Sequence, residues 1–308
     1  MTANPLLQID DFPNLIEPTL IVGLDGWFDA GMSGSTAMST ILATSDPVEI
    51  GRFDPDQTLD NRARRPIMSI EDSHITQLAW PATTLLAGTD AAGRDLLILT
   101  GAEPDFSWDR MTTAIVELAE SAGCRMMVYL GAFPAAIPHT RPSALSITTG
   151  SRELADSLRG YIRATLDVPA GFVTALDVAL NEVGIPAIGI WSQVPHYVSS
   201  MSYPAASMAL LSGLVDIAGI EIPTDSLSEE VTDTRQHLDV LVAENPQHIQ
   251  MVNQLEQVVD DEIRSAQDAA MNRSVDGSVF DIDNLPSGDE LAAEFQEFLR
   301  KRPDDQEP

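Results

Sequence analysis

Two serines, two histidines and an arginine are the residues of this chain whose types and surroundings suit chemistry. Ser33 and Ser35 follow Gly31 in GMSGS, His139 and Arg141 lie in PHTRP, and His196 lies in VPHYV. The small residues Gly31, Ser33, Gly34, Ser35 and Thr36 allow close approach to the backbone, and free amides at a helix start attract anions. A histidine in a loop after a strand suits acid/base work or metal binding. Arginine suits two-point capture of a carboxylate or phosphate, although Arg141 would equally hold acidic loops together. Ser33, Ser35, His139, Arg141 and His196 are therefore expected to surround one cleft that holds a small anion. Asp25 and Asp29 would make a carboxylate pair, but aspartate is also favoured in turns, and a turn role is expected of Asp29. No metal or cofactor is expected, because the chain spells no His-x-x-x-His pair and no Cys/His cluster.

No standard nucleotide or nucleophile motif fits the first loop. G-x-G-x-x-G is not spelled, and a P-loop needs a lysine that this stretch lacks. A nucleophile elbow, G-x-S-x-G, comes nearer, with Gly31, Met32, Ser33 and Gly34 followed by Ser35. An elbow turns directly off its strand, however, whereas six residues lie between Leu24 and Gly31. The alternative is a plain strand-to-helix turn whose small side chains let the helix sit close to a sheet.

These residues must be positioned by the elements around them. Thr19 to Leu42 reads as a buried strand, a glycine-rich loop and the start of a helix with Met38, Ile41 and Leu42 on one face. Strands are expected at Pro47 to Phe53, Ile67 to Leu78, Thr83 to Thr89 and Asp95 to Thr100, with Ala91, Ala92 and Gly93 turning the last pair into a hairpin. Ser107 starts a helix carrying Met111, Ile115 and Leu118. Further strands follow at Arg125 to Leu130, Ala144 to Thr149 and Ala187 to Gln193, with Phe172 and Val173 extending another. Helices are expected at Ser151 to Leu158, Ala175 to Val183 and Pro204 to Ala218.

Alternating strands and helices predict a three-layer α/β/α sandwich with a mixed, mostly parallel central sheet. Thr19 to Leu24, Asp95 to Thr100, Arg125 to Leu130 and Ala187 to Gln193 are its expected central strands, since continuous apolar runs need cover on both faces. The loops after strands would then meet at one edge, carrying Asp25, Asp29, Glu103, Asp105 and Asp109 beside the five candidate residues. Residues 1–222 form this α/β domain, 223–271 a helical hairpin, and 272–308 an acidic linker with a tail helix from Ser287.

Composition narrows the partners. Seventeen basic residues against 47 acidic ones give a net charge of -30, which disfavours nucleic acid and anionic membrane. Sixteen of the bases are arginine, and the single lysine is Lys301, so lysine-dependent phosphate or Schiff-base chemistry has no residue to use before the tail. Arg62, Arg64 and Arg65 make the one dense basic cluster, suited to a loop in solvent or to a neighbouring subunit's carboxylates. Asp216 interrupts the most apolar stretch, Met208 to Ile220, so no bilayer span is expected. With no visible signal peptide and one cysteine, Cys124, a cytoplasmic protein with a small buried thiol is expected.

The loop motifs GWFDAG (Gly26 to Gly31), GAEPDFSW (Gly101 to Trp108), PHTRP (Pro138 to Pro142) and VPHYV (Val194 to Val198) resemble the actinobacterial branch of the proteasome assembly chaperone family, of the second chaperone's type. The resemblance covers most of residues 15–265. It implies an α/β core related in topology to purine nucleoside phosphorylases and peptide hydrolases, a small helical subdomain, and self-association, a trimer among the forms. It supplies no catalytic residues. Relatives of this kind often dock onto the proteasome through a hydrophobic-Tyr-X tail, whereas this chain ends RPDDQEP. The ATP-grasp ligase activity suggested for some members would need lysines that are missing here. A non-catalytic binding or assembly protein, with itself and proteasome subunits as partners, ranks first. A phosphorylase- or hydrolase-like enzyme for a small anionic ligand ranks second, and a purely structural oligomer third.

Overall fold

The computed structural model describes residues 6–9, 11–26, 29–158 and 160–272. It contains ten strands: β1 (Leu7–Ile9), β2 (Thr19–Asp25), β3 (Val48–Phe53), β4 (Ile67–Glu71), β5 (His74–Ala79), β6 (Thr83–Thr89), β7 (Asp95–Ala102), β8 (Met126–Ala135), β9 (Leu145–Thr148) and β10 (Ala187–Pro195). Eight of them form one sheet in the order β1-β3-β6-β7-β2-β8-β10-β9. The four expected central strands are neighbours in it. β2 pairs in parallel with both β7 and β8, and β8 pairs in parallel with β10. Antiparallel partners extend both sides, so the sheet is mixed around a parallel centre.

Helices α1 (Ser33–Thr44), α3 (Trp108–Ala122), α5 (Phe172–Glu182) and α6 (Pro204–Ala218) cover the sheet, while α2 (Pro55–Thr58) and α4 (Arg152–Ser157) are short. Strand alternation sorts the core into two halves. Leu20 and Val22 of β2, Leu97 and Leu99 of β7, and Met127 and Tyr129 of β8 pack with Met111, Ile115 and Leu118 of α3 and Phe172, Leu176 and Leu180 of α5. The intervening residues Ile21, Leu96, Ile98, Val128 and Leu130 pack with Met38 and Ile41 of α1 and Leu210, Leu211 and Leu214 of α6. Each such aliphatic side chain contributes about 1.5–3 kcal/mol on full burial, which is why apolar runs on both faces select the sheet centre.

Three features differ from the local reading. Phe172 and Val173 begin α5 instead of extending a strand, because the Glu103 carboxylate accepts the Phe172 N–H at 2.6 Å and tethers the helix start. The three residues of β1 join the sheet edge through β3, a pairing too short for periodicity to reveal. The span Ile67 to Leu78, expected as one strand, is split by a turn at Asp72 and Ser73 into β4 and β5, which pair only with each other as a separate hairpin.

The chain divides into two compact units, Met1–Glu262 and Ile263–Pro308. In the first unit, α6 is followed by α7 (Asp225–Ala243) and by α8 (Pro246–Asn272), which runs into the second. Leu227 and Leu238 of α7 are buried, Leu238 beside Val198, Tyr203 and Ala206. Of the linker expected from Asn272, Asn272 itself ends α8, and the rest, with the tail helix from Ser287, lies outside the described residues.

Candidate functional site

The loop after β2 is closed by its own aspartate. Asp29 accepts the backbone N–H of Gly34 at 2.7 Å and of Ser35 at 3.0 Å, and the Ser35 hydroxyl at 2.7 Å. Its carboxylate therefore occupies the start of α1, where an external anion would otherwise meet the same amides. The buried Ser33 hydroxyl donates to the Ala30 carbonyl at 2.8 Å. Gly31, at φ 65°, lies so close to the segment after β10 that a Cβ there would sit 2.9 Å from Tyr203 Cβ. The Gly31 N–H donates to the Ser199 carbonyl, and the Tyr203 N–H to the Gly31 carbonyl. Small residues here thus serve close packing between loops.

The loop after β8 is bound to the C-terminal helices. His139, its side chain 1% exposed, places Nδ1 2.7 Å from Tyr197 Oη and Nε2 3.1 Å from Asp239 Oδ1. Tyr197 Oη also accepts the His139 backbone N–H at 2.7 Å. Asp239 is an acceptor, so Nε2 faces it as an N–H; in that neutral tautomer Nδ1 is the ring's acceptor for the phenol proton. Burial holds the Tyr197 phenol above its ordinary pKa, so it stays a neutral donor. Arg141 grips Asp260 with Nε and Nη2, both at 2.8 Å, and reaches Glu256 with Nη1 at 3.1 Å. Hydrogen bonding to Asp260 and the charge of Glu256 hold its guanidinium above its ordinary value. Thr140 donates to Glu256 as well. His196 stacks edge-on against Tyr197, ring centroids 5.4 Å apart, and desolvation lowers its pKa.

A second group of charges lies at the ends of β2 and β7. Arg64 Nη1 donates to the Asp25 carbonyl at 3.1 Å, and Arg64 Nε lies 3.5 Å from Asp105. Glu103 holds α5 as described, and Asp109 stands in the first turn of α3.

The strand ends do bring their loops together. Ala30, Ala132, Val194, Val198 and Tyr203 share one small core with Leu238. His139 and His196 flank the Tyr197 ring from two sides. A cleft of about 330 Å3 lies against this cluster, lined by His139, Arg141, Tyr203, Met208 and Arg235 among others, whereas Ser33, Ser35 and His196 are not on its wall. Among the described residues no group of three His, Cys, Asp or Glu is arranged to hold a metal ion. No described helix is long and apolar enough to cross a membrane. Sequence reasoning passed over Tyr197, Asp239, Glu256 and Asp260. Glu256 and Asp260 stand four apart on α8, the spacing of one helical face, which was the available signal.

The profile of the PAC2 family matches residues 23–242. Among solved structures, a Mycobacterium tuberculosis protein of unknown function is similar with a TM-score of 0.78 and 32% identity, over 89% of this chain and 94% of its own. A Corynebacterium glutamicum protein of unknown function gives 0.78 and 29%, over 84% and 98%. A Mycobacterium tuberculosis proteasome-assembly chaperone homologue gives 0.69 and 27%, over 76% and 99%. No curated protein sequence matches the chain.

Proposed function

The chain belongs to the PAC2 family, and on that footing we propose that it is a non-catalytic binding protein of the proteasome-assembly-chaperone kind, which associates with itself and with proteasome subunits. One observation carries the reading: the polar groups at the strand ends are spent on the chain itself. Asp29 is taken up by the first turn of α1, His139 by Tyr197 and Asp239, and Arg141 by Glu256 and Asp260. A nucleophile needs a base within reach that is free to take its proton. Ser33 meets only a carbonyl, and the carboxylate beside Ser35 already holds two amides. Groups so engaged make the loops rigid and shape a surface, which suits recognition of a protein. Native mass spectrometry of the pure protein mixed with α- and β-type subunits of the proteasome from the same cell tests the proposal. A complex with α-type subunits and faster appearance of the assembled core are expected. No complex at micromolar concentration, with unchanged assembly, would overturn it.

The cleft beside Arg141 and Arg235 supports a second reading, a phosphorylase- or hydrolase-like site for a small anion, in which His139 and Arg141 are the two of the five expected residues that line it. Calorimetric titration with phosphate distinguishes it. Heat from the parent that is lost in Arg141→Ala supports the enzyme; no heat, or equal heat from both, removes its main support.

A further inference from the structure

The cleft beside Arg141 is built between two helices. Ala205, Met208, Ala209 and Ser212 recur at three- and four-residue spacings on α6, and Val231 and Arg235 stand four apart on α7, so each set shares one helical face. Residues 139–143, from the loop after β8, complete the wall. The volume of about 330 Å3 is at the small end of ligand sites, which span about 300–1,000 Å3. None of the described Asp or Glu residues lines it, although the chain holds 47 acids against 17 bases. On so acidic a protein, this is a wall where an anion meets no like charge.

The donors on that wall lack partners. Arg235 is exposed and makes no hydrogen bond or ion pair with a described residue. Asp239, one turn further along α7 and its ordinary helical partner, lies 3.1 Å from His139 Nε2 instead. Arg141, by contrast, has its charge balanced by Glu256 and Asp260. Tyr203 is 3% exposed, and the Ser143 hydroxyl near its phenol is buried and completes no hydrogen bond. Burial raises the phenol's pKa, with Ser143 and the Arg235 charge acting the other way, so Tyr203 remains a neutral donor within reach of the Arg235 field. Tyr203 also gives α6 no side-chain cap, which leaves the positive end of that 15-residue helix uncapped beside Ala205.

One unpaired guanidinium balances a single negative charge, and Met208, Ala209 and Val231 offer apolar surface that a doubly charged phosphate would not use. We infer that the cleft binds an aliphatic monocarboxylate, either a free short-chain acid or the C-terminal residue of a polypeptide. Its carboxylate meets Arg235, with Tyr203 and Ser143 as further donors, and its aliphatic chain lies against Met208, Ala209 and Val231. The inference rests on the reading of this cleft as an anion site, names the ligand class, and moves the charge contact from Arg141 to Arg235. It involves no bond made or broken.

Calorimetry on the full chain with isocaproate, isocaproamide, phosphate and N-acetylglycylleucine tests it. Isocaproate is expected to bind, and the amide and phosphate to bind more weakly by about tenfold or more, the first for want of charge and the second for want of an apolar chain. Arg235→Gln is expected to weaken isocaproate by about tenfold or more, and Ala209→Phe, which fills the cleft, to abolish its binding. Both variants should keep the parent's circular dichroism, since Arg235 is exposed and Ala209 half-buried. N-acetylglycylleucine binding tighter than isocaproate assigns the cleft to a polypeptide C-terminus, and weaker binding assigns it to a free acid; each supports the ligand class. Equal binding of acid and amide, or isocaproate binding unchanged by either variant, overturns the inference. Heat from phosphate that is lost in Arg141→Ala, with none from isocaproate, also overturns it and leaves the anion reading standing. No heat from either anion overturns both.

Discussion

Asp177 allows a quantitative test of the core. It is 2% exposed on α5. One carboxylate oxygen accepts the Gly150 N–H at 2.7 Å and the Asn181 side-chain amide at 2.8 Å, while the other is buried without a partner. Burial pushes its pKa from 3.8 to about 6, against the opposing effect of those two hydrogen bonds. Between these two values the folded chain binds more protons than the unfolded one, so this group's contribution to stability falls as pH rises. The penalty is absent below pH 3.8 and complete above about pH 6. A rise of roughly two pKa units corresponds to about 3 kcal/mol. Asp177→Asn keeps an oxygen for both accepted hydrogen bonds and cannot ionise. Its own unpaired amide hydrogens add an offset that does not vary with pH, so the pH dependence isolates the charge. Urea unfolding of parent and variant at one protein concentration, from pH 4 to pH 8, is the assay. The parent's stability relative to the variant is expected to drop by about 3 kcal/mol across the window and then level off. A difference that is flat with pH would refute the argument that desolvation governs this carboxylate.

Asp29→Ala removes the acceptor for two amides of the first turn of α1, and a loss of about 1–2 kcal/mol is expected in the same unfolding assay; an unchanged midpoint would show that water replaces the carboxylate without cost. For the Arg141 and Asp260 pair, Arg141→Ala, Asp260→Ala and the double variant are expected to be non-additive, with the double variant less destabilised than the two singles summed; additivity would mean that the two-point contact at 2.8 Å contributes nothing to stability. The Cys124 thiol is buried, and desolvation pushes its pKa up to about 12. Dithionitrobenzoate is expected to label it only after unfolding, and rapid labelling of the native protein would contradict its burial.

The central sheet was legible because its causes are local. The apolar runs of β2, β7, β8 and β10 mark strands covered on both faces, and Pro204 to Ala218 ends as read, with Gly219 at φ 65° after its last turn. Asp29 was legible for the same reason, since its partners Gly34 and Ser35 are five and six residues away. Phe172 and Val173 were not, because their β-sheet-like residue types were overridden by Glu103, which caps the start of α5 from 69 residues away. His139 and Arg141 show the same limit at the site. Their loop position could be read, but their partners Asp239 and Asp260 are 100 and 119 residues further on. Ile67 to Leu78 was legible as strand but not as a hairpin, since apolar residues continue on both sides of the turn at Asp72 and Ser73 that splits it. By itself, then, the sequence determined the four central strands, the main helices and the face each buries, because propensity and burial act between near neighbours. Which carboxylate meets which arginine, histidine or helix start was decided only by the tertiary structure, because hydrogen bonds and ion pairs act at contact distance and only the packed chain brings such distant residues into contact.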